Sequence, residues 1–278
     1  MKTILFPTDF SATSLNAFVY ALQFAKKLNA QIITLHVYEL PSGTFEDYHD
    51  FLRENYNISE WGNFENYKDE VPKLRKLAEK HNCGDLKISH VLHEGSLIAE
   101  DILKVAASEK ADFIVMGTKG ASGLKEVFIG SITQKVMSKA SAPVLAVPDG
   151  CHYTPMAKLL FLSQFEASQV PAMQNLISIA KQMDAHIDVL YITTEHGTEE
   201  YDGIAAWKKL FPAPNIDYYI LASNDFEGTV LDFATIHKSS IIAIQVRQKN
   251  FFERLFMTSR ARELVFHATL PVLGLSSK

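Results

Sequence analysis

The feature that most constrains this chain is that it repeats itself. Residues 240–275, SIIAIQVRQKNFFERLFMTSRARELVFHATLPVLGL, lie without a gap over residues 112–147, DFIVMGTKGASGLKEVFIGSITQKVMSKASAPVLAV, at an offset of 128. Nearer the start, AKLLFLSQFEAS (157–168) lies over KTILFPTDFSAT (2–13), and DAHIDVLYIT (184–193) over NAQIITLHVY (29–38), both at an offset of 155. The difference of 27 is an insertion in the first copy. Its place is between Val37 and a helix near residue 67, at about residues 40–66. A duplication of this kind means two units of one fold. A length of 278 residues divides naturally into two of them, 1–149 and 156–278, joined by the linker DGCHYTP (149–155).

Within each copy the pattern alternates. KTILFP (2–7) reads as a buried strand. Residues 12–28 follow a polar start at Ser11 and carry Leu15, Phe18, Val19, Leu22, Phe24 and Ala25 at helical spacing. QIITLHV (31–37) is rich in β-branched residues and predicts a second strand. A helix over 67–82, a strand over 86–92, a helix over 97–110, a strand over 111–117, a helix over 131–140 and a strand over 142–148 complete the first copy. Nearly continuous apolar strands alternating with helices predict an α/β fold, with a parallel sheet covered on both faces. The last strands, APVLAV (142–147) and LPVLGL (270–275), are apolar and would be bare edges. Pairing with each other across a pseudo-twofold axis would cover both.

Composition narrows the function. A net charge of −5 and a pI near 6.1 argue against nucleic-acid binding through phosphates. The two cysteines, Cys83 and Cys151, form no C-x-x-C or zinc pattern, so a reducing compartment with buried thiols is expected. The opening MKTILFPTDF is too short in apolar residues for a signal peptide. Nothing reaches the roughly 18 apolar residues of a membrane helix. The expectation is a cytoplasmic chain with no membrane partner.

In an open parallel sheet, ligands bind beyond the carboxyl ends of the strands. PTDFS (7–11), Val37 and Met116-Gly117 fall at such ends. From there runs GTKGASGLKEVFIGS (117–131), which fits neither the P-loop nor the dinucleotide fingerprint. Gly117 and Gly120 would allow positive φ and let backbone N–H groups face phosphate oxygens. Gly130 would let the chain approach a ligand where a helix begins, and that helix end favours an anion. The Ser131 hydroxyl could meet a phosphate or a divalent ion on it. Asp9 could accept from an adenine amino group or a ribose hydroxyl. Lys119 and Lys125 could offset phosphate charge. The plainer alternatives are a glycine turn with an N-cap serine, and a turn role for Asp9.

MGTKG-(nine residues)-GS resembles the G-x2-G-x9-G-[ST] motif of the universal stress protein family. PTDFS after the first strand and a tandem pair of domains resemble it too. The resemblance covers essentially the whole chain, the first half strongly. It implies two adenine-nucleotide α-hydrolase-like, Rossmann-like domains, each a five-stranded parallel sheet of order 3-2-1-4-5, paired as an intrachain pseudo-dimer. It implies ATP, or another adenine nucleotide, with Mg2+ or Mn2+ on its phosphates. Adenine and ribose contacts would come from Pro7, Thr8, Asp9, Val37 and Met116. Phosphate and ribose contacts would come from Gly117, Lys119, Gly120, Gly130, Ser131 and Ile132. The second copy departs from the motif: Gly117 becomes Gln245, Gly120 becomes Gln248, Gly130 becomes Thr258 and Asp9 becomes Gln164, while Ser131 stays a serine, Ser259. Side chains there would crowd a triphosphate, so the second domain is expected not to bind ATP in the same way.

Other features carry less. The insertion mixes Phe45, Tyr48, Phe51, Tyr56, Trp61 and Phe64 with acidic residues. It suits a packed amphipathic segment, a lid or a partner surface. Arg247, Lys249, Arg254, Arg260 and Arg262 of the second loop suit a solvated surface. His36, His90 and His93 fall on different strands without an identifiable carboxylate partner, so ordinary hydrogen bonds are expected of them. No nucleophile elbow or paired-carboxylate motif stands out, and an efficient hydrolase is not expected. The leading expectation is a stress-response protein that senses ATP. The alternatives are an interaction module, or a slow ATP hydrolase or nucleotidyl enzyme. A homodimer of chains and an unidentified protein partner stay open.

Overall fold

The computed structural model describes residues 1–38, 68–118, 131–193, 201–246 and 270–276. The insertion and both loops that follow the fourth strand of each half lie outside these residues.

The first half runs β1 (Lys2–Pro7), α1 (Ala12–Leu28), β2 (Ala30–Tyr38), α2 (68–80), β3 (Ile88–Glu94), α3 (Ile98–Ser108), β4 (Phe113–Gly117), α4 (Ser131–Lys139) and β5 (Val144–Val147). The second runs β6 (Lys158–Leu162), α5 (Val170–Met183), β7 (His186–Thr193), α6 (Tyr201–Leu210), β8 (Ile216–Ala222), α7 (Phe226–Ile236), β9 (Ile241–Gln245) and β10 (Val272–Leu275). All strands join one 10-stranded sheet of order β3-β2-β1-β4-β5-β10-β9-β6-β7-β8. Each half therefore has the order 3-2-1-4-5, and every pairing within a half is parallel.

The halves meet edge to edge. β5 and β10 pair antiparallel, with Leu145 opposite Leu273, Ala146 opposite Val272 and Val144 opposite Gly274. Under the offset of 128, Leu273 is the counterpart of Leu145 itself. The pseudo-twofold axis thus passes through that residue pair, and the two exposed edges expected from the sequence cover each other.

Alternation along the strands builds two apolar layers. Ile4, Phe6, Ile32, Phe113, Leu145, Leu159, Phe161 and Leu273 face α1, α2, α5 and α6. Leu5, Ile33, Ile114, Val144, Leu160, Ile242 and Val272 face α3, α4 and α7. Both layers run unbroken across the β5–β10 junction.

The duplicate helices α1 and α5 show the same punctuation. Asn29 and Asp184, at offset 155, both end their helices in the left-handed conformation, with φ of 49° and 57°. Their starts differ. Ser11 caps α1 by accepting from Ser14 N–H at 3.2 Å. Its counterpart Glu166 makes no such bond, and Ala167–Gln169 form a 3-10 turn before α5. α1 is apolar nearly all round because it is enclosed by the sheet, by α5 and by the linker. Tyr20 Oη donates to His152 O at 2.9 Å, and Asn16 Nδ2 to Cys151 O at 2.7 Å. Burial, then the hydrogen bond to Cys151, drives the Tyr20 phenol well above its ordinary value.

Gly274 is small for a reason. A Cβ there would lie 2.6 Å from Met137 Cγ, 2.8 Å from Met137 Sδ and 2.8 Å from Val246 Cγ2. Met137 belongs to α4 of the first half, so this contact crosses the junction. Gly274→Val is expected to overpack it and lower stability by about 1–3 kcal/mol in urea denaturation. An unchanged midpoint would show that the junction yields.

Candidate functional site

The site is built where β1 and β4 end side by side. β1 pairs with β4 through Ile4–Phe113 and Leu5–Ile114. One residue beyond each strand the ladders still hold: Thr8 N–H donates to Leu35 O at 2.8 Å, and Thr118 N–H to Val147 O at 3.0 Å. Thr8 is buried, and its hydroxyl shares a 2.8 Å hydrogen bond with Ser14 of α1. It also accepts from Phe10 N–H at 3.0 Å. That bond holds a tight turn in which Phe10 takes φ of 58°. Such a backbone is unusual for a bulky side chain and tends to persist where surrounding structure enforces it.

The predicted site residues divide as follows. Pro7 is buried and pairs with Leu35, Val37 pairs with His93 on the next strand, and Met116 is buried opposite Ala146. Asp9 is exposed beside Thr8, and its Oδ1 accepts from Ser11 N–H at 3.1 Å. The turn role for Asp9 is therefore realised. Ser131 and Ile132 are exposed at the first turn of α4. Thr133 Oγ1 donates to Gly117 O at 2.9 Å, which fixes that turn against the end of β4. Pro7, Thr8, Asp9, Met116, Gly117, Ser131 and Ile132 thus gather at the β1 and β4 ends, with Val37 further out on β2. Lys119, Gly120, Gly130 and Lys125 lie outside the described residues, as do the insertion and Gln248, Thr258 and Ser259.

Gly117 corrects one expectation. Its backbone belongs to β4, and among the described residues Gly150 is the glycine with positive φ. What favours a glycine is proximity: an added Cβ would stand 3.1 Å from Thr13 Cγ2 and 3.2 Å from Thr13 O, close enough that α1 would have to give by a few tenths of an ångström. The first turn of α1 therefore lies directly over the end of β4, and Thr13 Oγ1 donates to Asp149 Oδ1 at 3.1 Å. Sequence reasoning missed Thr13, Ser14, Asp149, Thr118 and Thr133. Thr118 is the telling omission: it is 4% exposed, and its hydroxyl has no hydrogen-bond partner among the described residues. A buried hydroxyl left so invites a ligand atom or water.

The second half shows the same corner with a different filling. Ser163 replaces Thr8, Gln169 replaces Ser14, and the Ser163 hydroxyl donates to Gln169 Oε1 at 3.1 Å. Phe165 repeats the turn of Phe10, with φ of 57° and its N–H donated to Ser163 Oγ at 2.9 Å. Gln245, at the place of Gly117, is 4% exposed, and its Nε2 donates to Ser168 O at 2.6 Å. Ser168 is the counterpart of Thr13. A side chain thus bridges β9 to the start of α5 where the first half has a glycine.

The histidines make local bonds. His36 Nδ1 is 2.8 Å from Thr8 O, and Thr34 Oγ1 is 2.7 Å from His90 Nδ1. Burial, then the Arg75 charge, pushes His90 below its ordinary value. His90 and His93 share β3, which corrects the expectation of three different strands, and His93 has a carboxylate neighbour that the sequence did not identify: its Nε2 lies 3.4 Å from Asp101 Oδ1. Asp101 Oδ2 also accepts from Leu97 N–H at 3.2 Å. Cys83 and Cys151 are buried thiols outside any disulfide, and burial raises both. An open depression of about 520 Å3 lies elsewhere, at the outer strand β8, between Lys208, Phe211, Pro214 and Tyr218. No helix among the described residues is long and apolar enough to cross a membrane.

A doubled α/β fold of order 3-2-1-4-5, with an elaborated corner where β1 and β4 end, defines a Rossmann-like tandem protein. The chain belongs to the universal stress protein family, whose profile matches residues 1–148. A universal stress protein of Methanocaldococcus jannaschii is 33% identical over 153 residues, covering 52% of this chain and 81% of the relative. One from Thermus aquaticus is 32% identical over 152 residues, covering 52% of this chain and 98% of its own. The crystal structure of a universal stress protein from Archaeoglobus fulgidus shares the fold over 99% of this chain and 96% of its own, with a TM-score of 0.70 at 20% identity.

Proposed function

We propose that this universal stress protein binds one adenine nucleotide, ATP, in its first half and acts as a nucleotide-responsive regulator of a stress response. Residues 1–149 would form the binding domain and 156–278 a degenerate copy that keeps the fold. The observation that carries the reading is the exchange of Gly117 for Gln245. One fold builds the same corner twice, with a glycine in the first copy and a bridging side chain in the second.

Pro7, Thr8, Asp9, Val37 and Met116 would hold adenine and ribose. Gly117, Lys119, Gly120, Gly130, Ser131 and Ile132 would hold ribose and phosphates. The corner fits such a group in that the Thr118 hydroxyl is buried without a partner among the described residues. Mg2+ or Mn2+ on the phosphates near Ser131 would offset their charge. Hydrolysis would be slow at most, since the sequence carries no nucleophile elbow or paired-carboxylate motif. Two buried cysteines kept as thiols suit a reducing compartment, the cytoplasm.

The test is mass spectrometry of small molecules released from freshly purified protein, followed by displacement with ATP and with cAMP. Cyclic AMP is the second probe because another universal stress protein was crystallised in complex with it. The reading expects an adenine nucleotide in the released fraction and displacement by ATP. A preparation that releases no nucleotide and takes up none would favour the interaction module instead.

A further inference from the structure

A second cluster stands at the amino-terminal ends of β6, β7 and β8, away from every residue of the proposed nucleotide site. Its centre is Asp188 of β7, which is 0% exposed. Neither of its carboxylate oxygens makes a hydrogen bond of good geometry. Around it, His186 Nε2 lies 3.5 Å from Asp188 Oδ1 and 3.0 Å from Asp217 Oδ2. On the other side, Lys158 Nζ and His237 Nδ1 lie 3.1 and 3.3 Å from Asp188 Oδ2.

We propose that His186, Asp188 and Asp217 form a binding site for a divalent transition-metal ion, of which zinc is the best match. One ligand atom from each residue lies within 4.8 Å of the other two. Four donors about 2.0–2.2 Å from a tetrahedral zinc ion stand roughly 3.3–3.6 Å apart. The 3.5 Å separation from His186 to Asp188 falls within that spacing, and the 3.0 Å one to Asp217 lies just below it. One imidazole with two carboxylates is a nitrogen and oxygen donor set suited to zinc, cobalt or manganese. The two oxygens of Asp188 divide the work. Oδ1 faces His186 and is placed to ligate, while Oδ2 faces Lys158 and His237, cations or donors that would orient it from the outer shell. His186 and Asp217 are 31% and 57% exposed, so an ion and its remaining water ligands have a way in. To ligate, His186 Nε2 would exchange its hydrogen-bond contact with Asp217 for the ion, the ring carrying its proton on Nδ1.

The first half is the internal control. At the places of Lys158, His186, Asp188, Asp217 and His237 it carries Thr3, Gln31, Ile33, Ser89 and Glu109. There Ile33 is an ordinary core residue, and Gln31 Nε2 donates to Thr3 Oγ1 at 3.0 Å. The fold therefore builds this edge without a buried charge, and the second half places one there against the cost of desolvation. The halves run antiparallel, so the cluster sits on the same sheet edge as the β1 and β4 ends. β6 is five strand spacings from β1, roughly 24 Å. The site is therefore separate from any ion carried on nucleotide phosphates.

The test uses the full chain, stripped with a chelator and free of nucleotide. Zinc is titrated calorimetrically, and cobalt is followed by its visible spectrum. Wild type is expected to bind one zinc ion in a saturable step. His186→Gln and Asp217→Ser, which install the residues the first half already uses, are each expected to weaken binding by about tenfold or more. Circular dichroism of both variants would confirm the fold. The absence of saturable binding in wild type, or zinc affinity that both folded variants keep, would overturn the proposal.

Discussion

Gly117→Gln is expected to lower ATP affinity by about tenfold to a hundredfold while the chain remains folded. In wild type the end of β4 lies bare beneath the first turn of α1, with Thr13 O 3.2 Å from where a Cβ would be. The second half shows what a glutamine does in that position. Gln245 is buried, spans the corner and donates to Ser168 O at 2.6 Å. The same bridge from residue 117 would end on Thr13 and displace phosphate from the backbone at the β4 end. Losing one hydrogen bond to a charged group, about 1.5–3 kcal/mol, corresponds to that range of affinity. Calorimetry with ATP and Mg2+, alongside a thermal melt, reads both quantities. A folded variant with wild-type affinity would return Gly117 to a purely architectural role.

The second large effect concerns stability. Leu145→Ala and Leu273→Ala are each expected to cost about 2–5 kcal/mol, since both side chains are essentially fully buried and the truncations leave cavities. These leucines face each other on the pseudo-twofold axis, in one apolar layer. The double variant should therefore lose less than the sum of the two, because each truncation already removes the shared contact. Urea denaturation of the four proteins gives the coupling directly. Strict additivity would mean that the two halves do not touch through these residues.

Much of the fold was legible because duplication supplied its own check. Two gapless offsets fixed which strands correspond, and two apolar terminal strands called for each other. The β5–β10 pairing and the 3-2-1-4-5 order of both halves agree with that reading. Strand ends were also legible, since PTDFS and Met116-Gly117 mark places where a parallel sheet presents its ligand crevice.

What the sequence hid depends on distant partners. Asp188 in HIDVLYIT looks like the polar half of an alternating strand, yet it is fully buried. The residues around it come from β6, β8 and the end of α7. Asp101 looks like a first-turn acid of α3, which it is, and it also faces His93. Gly117 was read for its freedom of φ, whereas its strand backbone shows that its lack of a side chain is what matters. Gln245 stood out as a departure from the motif, but its bond to Ser168 spans 77 positions and leaves no local signature.

The central claim is that one corner of a doubled fold binds ATP and the other does not. Its most direct measurement is the stoichiometry of ATP binding to the nucleotide-free full chain, by calorimetry with Mg2+ present. The account predicts one ATP per chain. Two per chain would contradict the degeneracy of the second half, and none would contradict the site itself.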